Sequence, residues 1–483
     1  MIHARAILYV LGQFLLAFST TMAVPVLYGL ATGGDHLWGL QASLVITAAC
    51  GGLLFAISPR PTRELTQREG LLLVVSIWLA VILFGSLPFY FSPHFSGFTD
   101  AFFEAASGFT TTGATILDDV EVLPDPLQLW RCFSHWLGGM GIVLLGIAIL
   151  PLVGHGGMHL YRAEFSGAKS EKLKPRITET AFSLWKLYMA FTVAQFLALR
   201  WAGMSAFEAA CHTFSTLGTG GFSTRTASVA GFESPLIEYI IIFFMILAGI
   251  SFVQHYRLWV EREPRGFFSD VEIRYFLLLI LVTTVVFSGI LVGYSGYAPE
   301  LAIRSALFQV SAIITGTGFV TDNFELWHPF PQLVLLALMF VGGCTGSTAG
   351  GMKVSRILLL ARVVDREFKR MVERHGVFRV RLGGDVIPEA TIQSLLNLVY
   401  LAFVVNFVSC MALAAMGVDV LTSITAVAAS MFNIGPGLGH VGPLENYAHL
   451  PAPAKWVLSF CMIAGRLEFY TVLVIFTPAF WRK

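Results

Sequence analysis

The chain has 483 residues, 56% of them hydrophobic and 13% charged, with a mean hydropathy of +0.73 and a net charge of +1. Soluble proteins carry about 25% charged residues, so this composition excludes a soluble domain and predicts an integral membrane protein, while the near-neutral charge gives no footprint for nucleic acid. The six cysteines (Cys50, Cys132, Cys211, Cys344, Cys410 and Cys461) lie scattered, mostly in apolar runs and without a CxxC, and read as small core residues rather than a disulfide or metal framework.

A membrane helix needs about 20 apolar residues. The first run, 6–30, is long for a signal segment and has no clear cleavage site, so it is read as a membrane helix. Nine more follow, at 37–58, 70–91, 127–153, 181–203, 235–260, 275–294, 330–363, 394–417 and 455–480, and the eighth is long enough to be broken in its middle. The loops after even-numbered runs are basic: Arg60, Arg63 and Arg68; then Arg162, Lys169, Lys172, Lys174 and Arg176; then Arg257, Arg262 and Arg265; then Arg362, Arg366, Lys369, Arg370, Arg374, Arg379 and Arg381. The alternate loops are neutral or acidic, as in LDDVEVLPD at 117–125, so the positive-inside rule puts both termini in the cytoplasm.

Four of the outer loops contain an apolar stretch too short to span, followed by glycine and threonine: FFEAASGFTTTGATI (102–116), FEAACHTFSTLGTGGFST (207–224), SALFQVSAIITGTGFVTD (305–322) and TAVAASMFNIGPGLGHV (425–441). Aligned on Gly113, Gly220, Gly318 and Gly437, they recur with a period of about 100 residues. Each is followed by a run with a glycine in its middle: Gly139, Gly249, Gly343 and Gly465. The expected fold is an all-α polytopic membrane protein. Two N-terminal helices (1–68) precede four helix–pore-loop–helix repeats (69–160, 161–265, 266–385 and 386–483) in pseudo-fourfold arrangement around one ion pore.

Non-helical backbone at membrane depth survives only when buried in protein or lining water. Four such loops meeting on an axis present rings of carbonyls that replace an ion's hydration shell. The candidate filter is Thr111, Thr112 and Gly113; Gly218, Thr219 and Gly220; Gly316, Thr317 and Gly318; and Gly435, Pro436 and Gly437. It contains no carboxylate, which suits a weakly hydrated monovalent cation, whereas calcium or magnesium recruits Asp or Glu. The short helices direct their negative C-terminal ends inward, which again favours a cation. Threonine hydroxyls beside the glycines are expected to add oxygens.

These residues resemble the TrkH family of potassium uptake subunits, within the superfamily that also holds the Ktr, fungal Trk and plant HKT transporters. The resemblance covers essentially the whole chain. It implies that one glycine per loop determines selectivity, here Gly113, Gly220, Gly318 and Gly437. Sodium-selective relatives carry serine in the first loop, so Gly113 implies potassium. Pro436, where the third loop has Thr317, departs from the other loops.

The third repeat carries FVGGCTGSTAGGMKVS (340–355) inside an otherwise apolar helix. A phosphate-binding loop requires GxxxxGK[ST] between a strand and a helix, but Met352 separates Gly351 from Lys353 and Val354 stands in the Ser/Thr position. Close packing of small residues, a passive kink and a gate remain. The resemblance implies an intramembrane gating loop formed by Gly342, Gly343, Cys344, Thr345, Gly346, Ser347, Thr348, Ala349, Gly350, Gly351, Met352 and Lys353. In the last span, Arg466 must face the bundle interior, because an arginine at mid-membrane costs about 2.5–3.5 kcal/mol. It is read as a pore-side charge bonding carbonyls of that loop, a role the resemblance also implies, with a structural pair to Glu468 as the alternative. Lys353 is either a second pore-side charge or a snorkelling side chain.

Asp118, Asp119, Glu121 and Asp125 either concentrate cations at the outer mouth or form a solvated loop. Glu104, Glu208 and Gln309 are expected to bond filter amides or to cap the short helices. His135 and His212 lie near pore elements and read as packing residues. No catalytic or metal-ligand constellation is present, so no enzymatic activity and no bound cofactor are expected; the potassium ion is substrate. No soluble domain exists within the chain. The resemblance implies a homodimer and a TrkA-like cytoplasmic ring that binds nucleotides; basic loops alone fit anionic lipid equally well. The alternative function is a sodium- or proton-coupled potassium symporter on the same scaffold, for which Glu468 is the deep carboxylate.

Overall fold

Two long helices, Ala4–Thr32 and Trp38–Ile57, open the chain and lie against each other along their length. Gly12 and Gly51 set their distance: a β-carbon on Gly12 would stand 2.6 Å from the Phe55 nitrogen, and one on Gly51 would stand 2.9 Å from that of Leu16. Membrane helices associate through such small-residue contacts because lipid supplies no hydrophobic drive between them. The computed structural model describes residues 3–34, 37–58, 60, 65–141 and 177–482. The expected basic residues Arg63, Arg162, Lys169, Lys172, Lys174 and Arg176, and the second half of the run at 127–153, lie outside the described residues.

The remaining elements follow a three-part pattern. Long apolar helices at Gln67–Gly85, Ile177–Trp201, Val271–Ser295 and Glu389–Ala415 each lead to a short one at Phe98–Phe109, Ala206–Leu217, Pro299–Ile314 and Val420–Met431. The short helices have 12, 12, 16 and 12 residues. At about 1.5 Å per residue they reach only part-way through a hydrocarbon core of about 30 Å. They are largely encased in protein: Phe103, Ala105 and Ala106 in the first and Ala426 to Ala429 in the fourth are fully buried. Leu53, Leu281, Val285, Phe403 and Phe407 are exposed on the long outer helices, while Thr110, Thr216, Thr315 and Thr425 are buried. This is the inverted distribution of a lipid-facing bundle.

Among the described residues the third element is broken in the second, third and fourth repeats, and in the first it loses regular α-helical form. Asp125–Trp136 runs into a π-helical turn at Leu137–Gly141. Pro235–Gly249 bends by 101° into Phe252–Trp259, and Ala452–Arg466 bends by 112° into Tyr470–Phe476. Pro329–Val341 gives way to a loop before Val354–Val372. The sequence pattern predicts a break only in 330–363. In the other three repeats, glycines at mid-span permit a close approach that no side chain would. A β-carbon on Gly138 or Gly465 would overlap the Phe109 or Met431 carbonyl oxygen. One on Gly139 would stand 2.9 Å from the Gly218 α-carbon, and one on Gly249 2.9 Å from Thr315 Cγ2. The ends of the short helices lie against these points, where only glycine fits.

Beyond Val354–Val372, the connection at 365–390 contains a small antiparallel ribbon pairing Arg381 with Val386 and Leu382 with Asp385. Its turn, Gly383–Gly384, has φ of 57° and 91°, the positive pair of a tight hairpin.

Candidate ion-binding ring and intramembrane loop

Each short helix ends in a reversal that turns the chain back outward. Thr111, Thr219, Gly316 and Asn433 adopt φ of 56°, 53°, 70° and 54°. The next amide closes the turn in three repeats: Thr112 N–H to Ser107 O at 2.8 Å, Gly220 N–H to Ser215 O at 2.8 Å and Ile434 N–H to Ala429 O at 2.9 Å. This is the Schellman pattern of a helix end. In the third repeat Gly318 N–H reaches Ala312 O at 3.0 Å. For the β-branched Thr111 and Thr219 the left-handed region costs about 1–3 kcal/mol, which the surrounding packing offsets.

Two residues after each reversal stands a glycine with φ of 82°, 82°, 71° and 99°: Gly113, Gly221, Gly318 and Gly435. A β-carbon on Gly113 would overlap the Gly220 carbonyl oxygen, one on Gly221 that of Thr317, and one on Gly318 that of Ile434. On Gly435 it would stand 2.7 Å from the Thr112 carbonyl oxygen. Each glycine therefore abuts the carbonyl preceding the corresponding glycine of the next repeat, and the fourth returns to the first. The chain closes a ring from four segments spaced over more than 300 residues, with Thr112, Gly220, Thr317 and Ile434 as its carbonyl bearers.

This register corrects two positions of the sequence alignment. Gly220 belongs to the ring through its carbonyl, but the equivalent glycine is Gly221; the α-carbon of Gly220 faces the His135 ring. Gly437 lies outside the ring, packed on Val441 and Thr425, with its amide bonded to Val441 O at 2.7 Å. Gly435 takes the ring position, and the residue matching Thr317 is Ile434 rather than Pro436, which follows the ring and lines the outer mouth. Three of the four threonine hydroxyls are engaged within the protein. Thr112 and Thr317 bond the neighbouring Thr110 and Thr315 hydroxyls at 2.8 and 2.7 Å, and Thr219 donates to Gly218 O and Thr348 O at 2.7 and 2.9 Å.

One polar side chain on each short helix holds the ascending strand beyond the ring. Glu104 accepts from Ile116 N–H at 3.1 Å, and Gln309, with its amide oxygen turned to the loop, accepts from Thr321 N–H at 2.9 Å. Thr425 accepts from Leu438 N–H at 3.1 Å, and His212 bonds Ser223 Oγ at 2.9 Å. Glu208 instead caps its helix with Ser205 and binds Arg225 at 2.6 Å. Arg131, which the sequence did not flag, is almost fully buried against Glu104 at 2.6 Å and donates to Ser223 O at 3.0 Å, tying the first loop to the second. At the seam between fourth and first repeats, Asn433 Nδ2 donates to Thr112 Oγ1 at 2.9 Å and Tyr447 N–H to Thr115 O at 2.8 Å.

Outside the ring opens a cavity of about 100 Å³ lined by Gly113, Gly221, Gly318 and Gly435 together with Asp118, Arg131 and Arg225. The acidic stretch around it is knitted to the protein: Asp118 accepts from Asn446 at 2.9 Å and Asp119 from the Thr226 hydroxyl at 2.6 Å. The Thr226 hydroxyl and the Glu121 amide hold the Asp119 carboxyl below the usual range, so it stays anionic at neutral pH.

Beneath the ring lies the 342–353 loop. A β-carbon on Gly350 would overlap the Phe432 carbonyl oxygen, and Gly351 N–H donates to the same oxygen at 3.1 Å. Thr348 Oγ1 donates to Leu217 O at 3.0 Å, and Cys344 N–H to Gly249 O at 2.8 Å. The loop thus touches the ends of two short helices and the break of the second repeat. Arg466 donates to Thr348 O at 3.1 Å, Gly138 O at 2.6 Å and Gly139 O at 3.0 Å, joining loop, first repeat and fourth repeat. Hydrogen bonds to charged groups contribute about 1.5–3 kcal/mol each, so three offset the cost of placing a guanidinium at this depth. Glu468 binds Arg356 through both oxygens at 2.9 Å. Lys353 turns back onto Ala349 O. The element directly before the loop is the helix Pro329–Val341 rather than a strand, which removes the phosphate-loop reading.

The family model for TrkH, described as a cation transport protein, matches residues 40–483. The chain belongs to the TrkH family. It is 42% identical over the whole of both chains to the Trk system potassium uptake protein TrkH of Salmonella typhimurium, and 41% identical over the whole of both to that of Escherichia coli K12. The crystal structure of the potassium transporter TrkH from Vibrio parahaemolyticus superposes with a TM-score of 0.88 at 36% identity, covering 99% of this chain and 100% of that one. TrkH membership agrees with the architecture: two preceding helices, four short re-entrant helices and a ring between them.

Proposed function

We propose that the chain conducts potassium inward across the bacterial cytoplasmic membrane as the pore subunit of a Trk system, with both termini inside. The observation that carries this reading is the closed ring of backbone carbonyls contributed by Thr112, Gly220, Thr317 and Ile434. The ring glycines carry no side chain to narrow the passage, and the four short helices end beside it with their negative poles. Neutral oxygens in that field replace the water of a weakly hydrated cation. The names of the relatives agree with a potassium substrate. The 342–353 loop obstructs the path below the ring, and Arg466 fastens it while adding a positive charge that repels cations.

Regulation comes from a cytoplasmic TrkA-like ring that binds nucleotides, and the pore subunits pair as a homodimer with one pore each. Two features support a protein interface on the inner face. A cavity of about 1120 Å³ is lined by Arg257, Arg362, Arg366, Lys369, Arg379 and Arg381. Nearby, Val364, Phe368, Met371 and Val372 are exposed on the helix that follows the loop.

Rubidium uptake into liposomes holding the purified chain, under an imposed voltage and without proton or sodium gradients, tests the reading. Uptake that excess sodium competes with weakly is expected. Uptake that appears only with a proton or sodium gradient overturns the passive pore in favour of coupled symport.

A further inference from the structure

We propose that Glu272 is the latch of the 342–353 loop: a positioning residue whose carboxylate binds both ends of that segment and holds it beneath the ring. The proposal rests on the reading of that loop as the gate.

The loop returns to helix at Val354, and the residue before it, Lys353, has φ of 78° and offers no side-chain cap. The first amides of Val354–Val372 therefore need partners from elsewhere. Val354 N–H finds Gly343 O at 3.1 Å. Ser355 N–H finds Glu272 Oε1 at 3.0 Å. The same oxygen accepts from Thr345 N–H at 2.8 Å and from Thr345 Oγ1 at 3.1 Å. The Thr345 and Ser355 hydroxyls then bond each other at 2.6 Å across ten residues of chain. One carboxylate oxygen thus gathers three donors from the two ends of the loop and serves as the N-terminal cap that Lys353 does not supply. Between those ends Gly346 and Gly351 have φ of 77° and 78°, so the backbone is free to rearrange once the ends part.

Glu272 is itself anchored. It sits in the first turn of Val271–Ser295, whose cap Asp270 accepts from Ile273 N–H at 3.1 Å and from Gln254 Nε2 at 2.9 Å. Gln254 belongs to Phe252–Trp259, the segment past the break of the second repeat, and Phe252 N–H reaches the loop at Gly346 O, 3.0 Å away. Gln254, Asp270 and Val271 also line the large inner cavity. The latch therefore stands one residue from a surface that a partner on the inner face can reach, and movement of the 254–270 elbow pulls on the carboxylate that closes the loop.

The test uses the full chain in liposomes, with the native Cys344 as reporter. Its thiol is fully buried in the closed loop. Modification of Cys344 by a methanethiosulfonate reagent is read by peptide mass spectrometry, and rubidium flux is read in parallel. Glu272→Ala is expected to speed Cys344 modification at least about tenfold, the factor that one charged hydrogen bond represents, and to raise flux without a partner. Glu272→Gln, which keeps a neutral acceptor, should give a smaller rise in both. A folded Glu272→Ala chain whose Cys344 reacts at the wild-type rate overturns the latch. If Cys344 is exposed but flux stays unchanged, both in this variant and after deletion of 346–350, the latch stands and the gate reading fails. Should Glu272→Ala not fold, Glu272→Gln and Thr345→Val are combined: they disturb one contact, so their effects must fall short of multiplying, and fully multiplicative effects overturn the proposal.

Discussion

In the fourth loop the ring position falls on Gly435 and not on Gly437, from which only Pro436 separates it. Gly435 has φ of 99° and abuts the Thr112 carbonyl, while Gly437 faces the side chains of Val441 and Thr425. Gly435→Ala is therefore expected to cut rubidium flux by at least about tenfold, since strain in the left-handed region and displacement of a ring carbonyl together exceed about 1.4 kcal/mol. Gly437→Ala should lower flux less than Gly435→Ala, because its β-carbon meets side chains and not a ring carbonyl; the reverse order of effects would contradict the register. The sequence displayed the ring's chemistry but not its register, because several glycines crowd each loop. Gly221 was recoverable from the phenylalanine that follows both it and Gly318. Gly435 was recoverable from Asn433, since asparagine tolerates the left-handed reversal two residues earlier. Arg131 was not recoverable, because its acceptor Ser223 lies 92 residues away.

At the scale of elements, the broken inner helices place the loop and its fastener at one depth. Hydropathy shows ten apolar runs, and a helix occupies at least part of each, but hydropathy does not report direction. A run such as 235–260 reads the same straight or bent by 101°. The bent regions coincide with glycines packed closely against other elements, contacts that periodicity along the chain does not encode. The 342–353 break was legible because its composition is incompatible with a lipid-exposed helix. Arg466 spans this layer, bonding the loop at Thr348 and the first repeat at Gly138 and Gly139. Arg466→Ala is expected to raise basal rubidium flux several-fold in correctly folded protein, by removing both the fastener and the fixed charge. Arg466→Lys, a single donor group without the planar fork, should lie between. A folded Arg466→Ala chain with wild-type or lower basal flux would count against the barrier role.

At the scale of the molecule, the ring exists only if the first and last repeats meet. The fourfold period announced that closure, whereas the contacts that complete it join residues hundreds of positions apart. Besides Asn433 and Tyr447, Lys455 pairs with Asp100 at 2.6 Å, with both side chains largely buried. Removing one partner of a buried pair costs about 3–5 kcal/mol, while replacing both with apolar residues is often neutral. Lys455→Ala should therefore lower the thermal midpoint in detergent by several degrees, and Lys455→Met with Asp100→Leu should recover most of the loss; equal destabilisation by single and double variants would contradict a buried, closed seam. The ring is tested most directly by anomalous X-ray scattering from crystals of the protein grown in rubidium. A rubidium peak is expected on the pseudo-fourfold axis, within coordination distance of the carbonyl oxygens of Thr112, Gly220, Thr317 and Ile434. A ring empty of rubidium, with peaks only in the outer mouth or beside Gly437, would contradict the ring as the ion site.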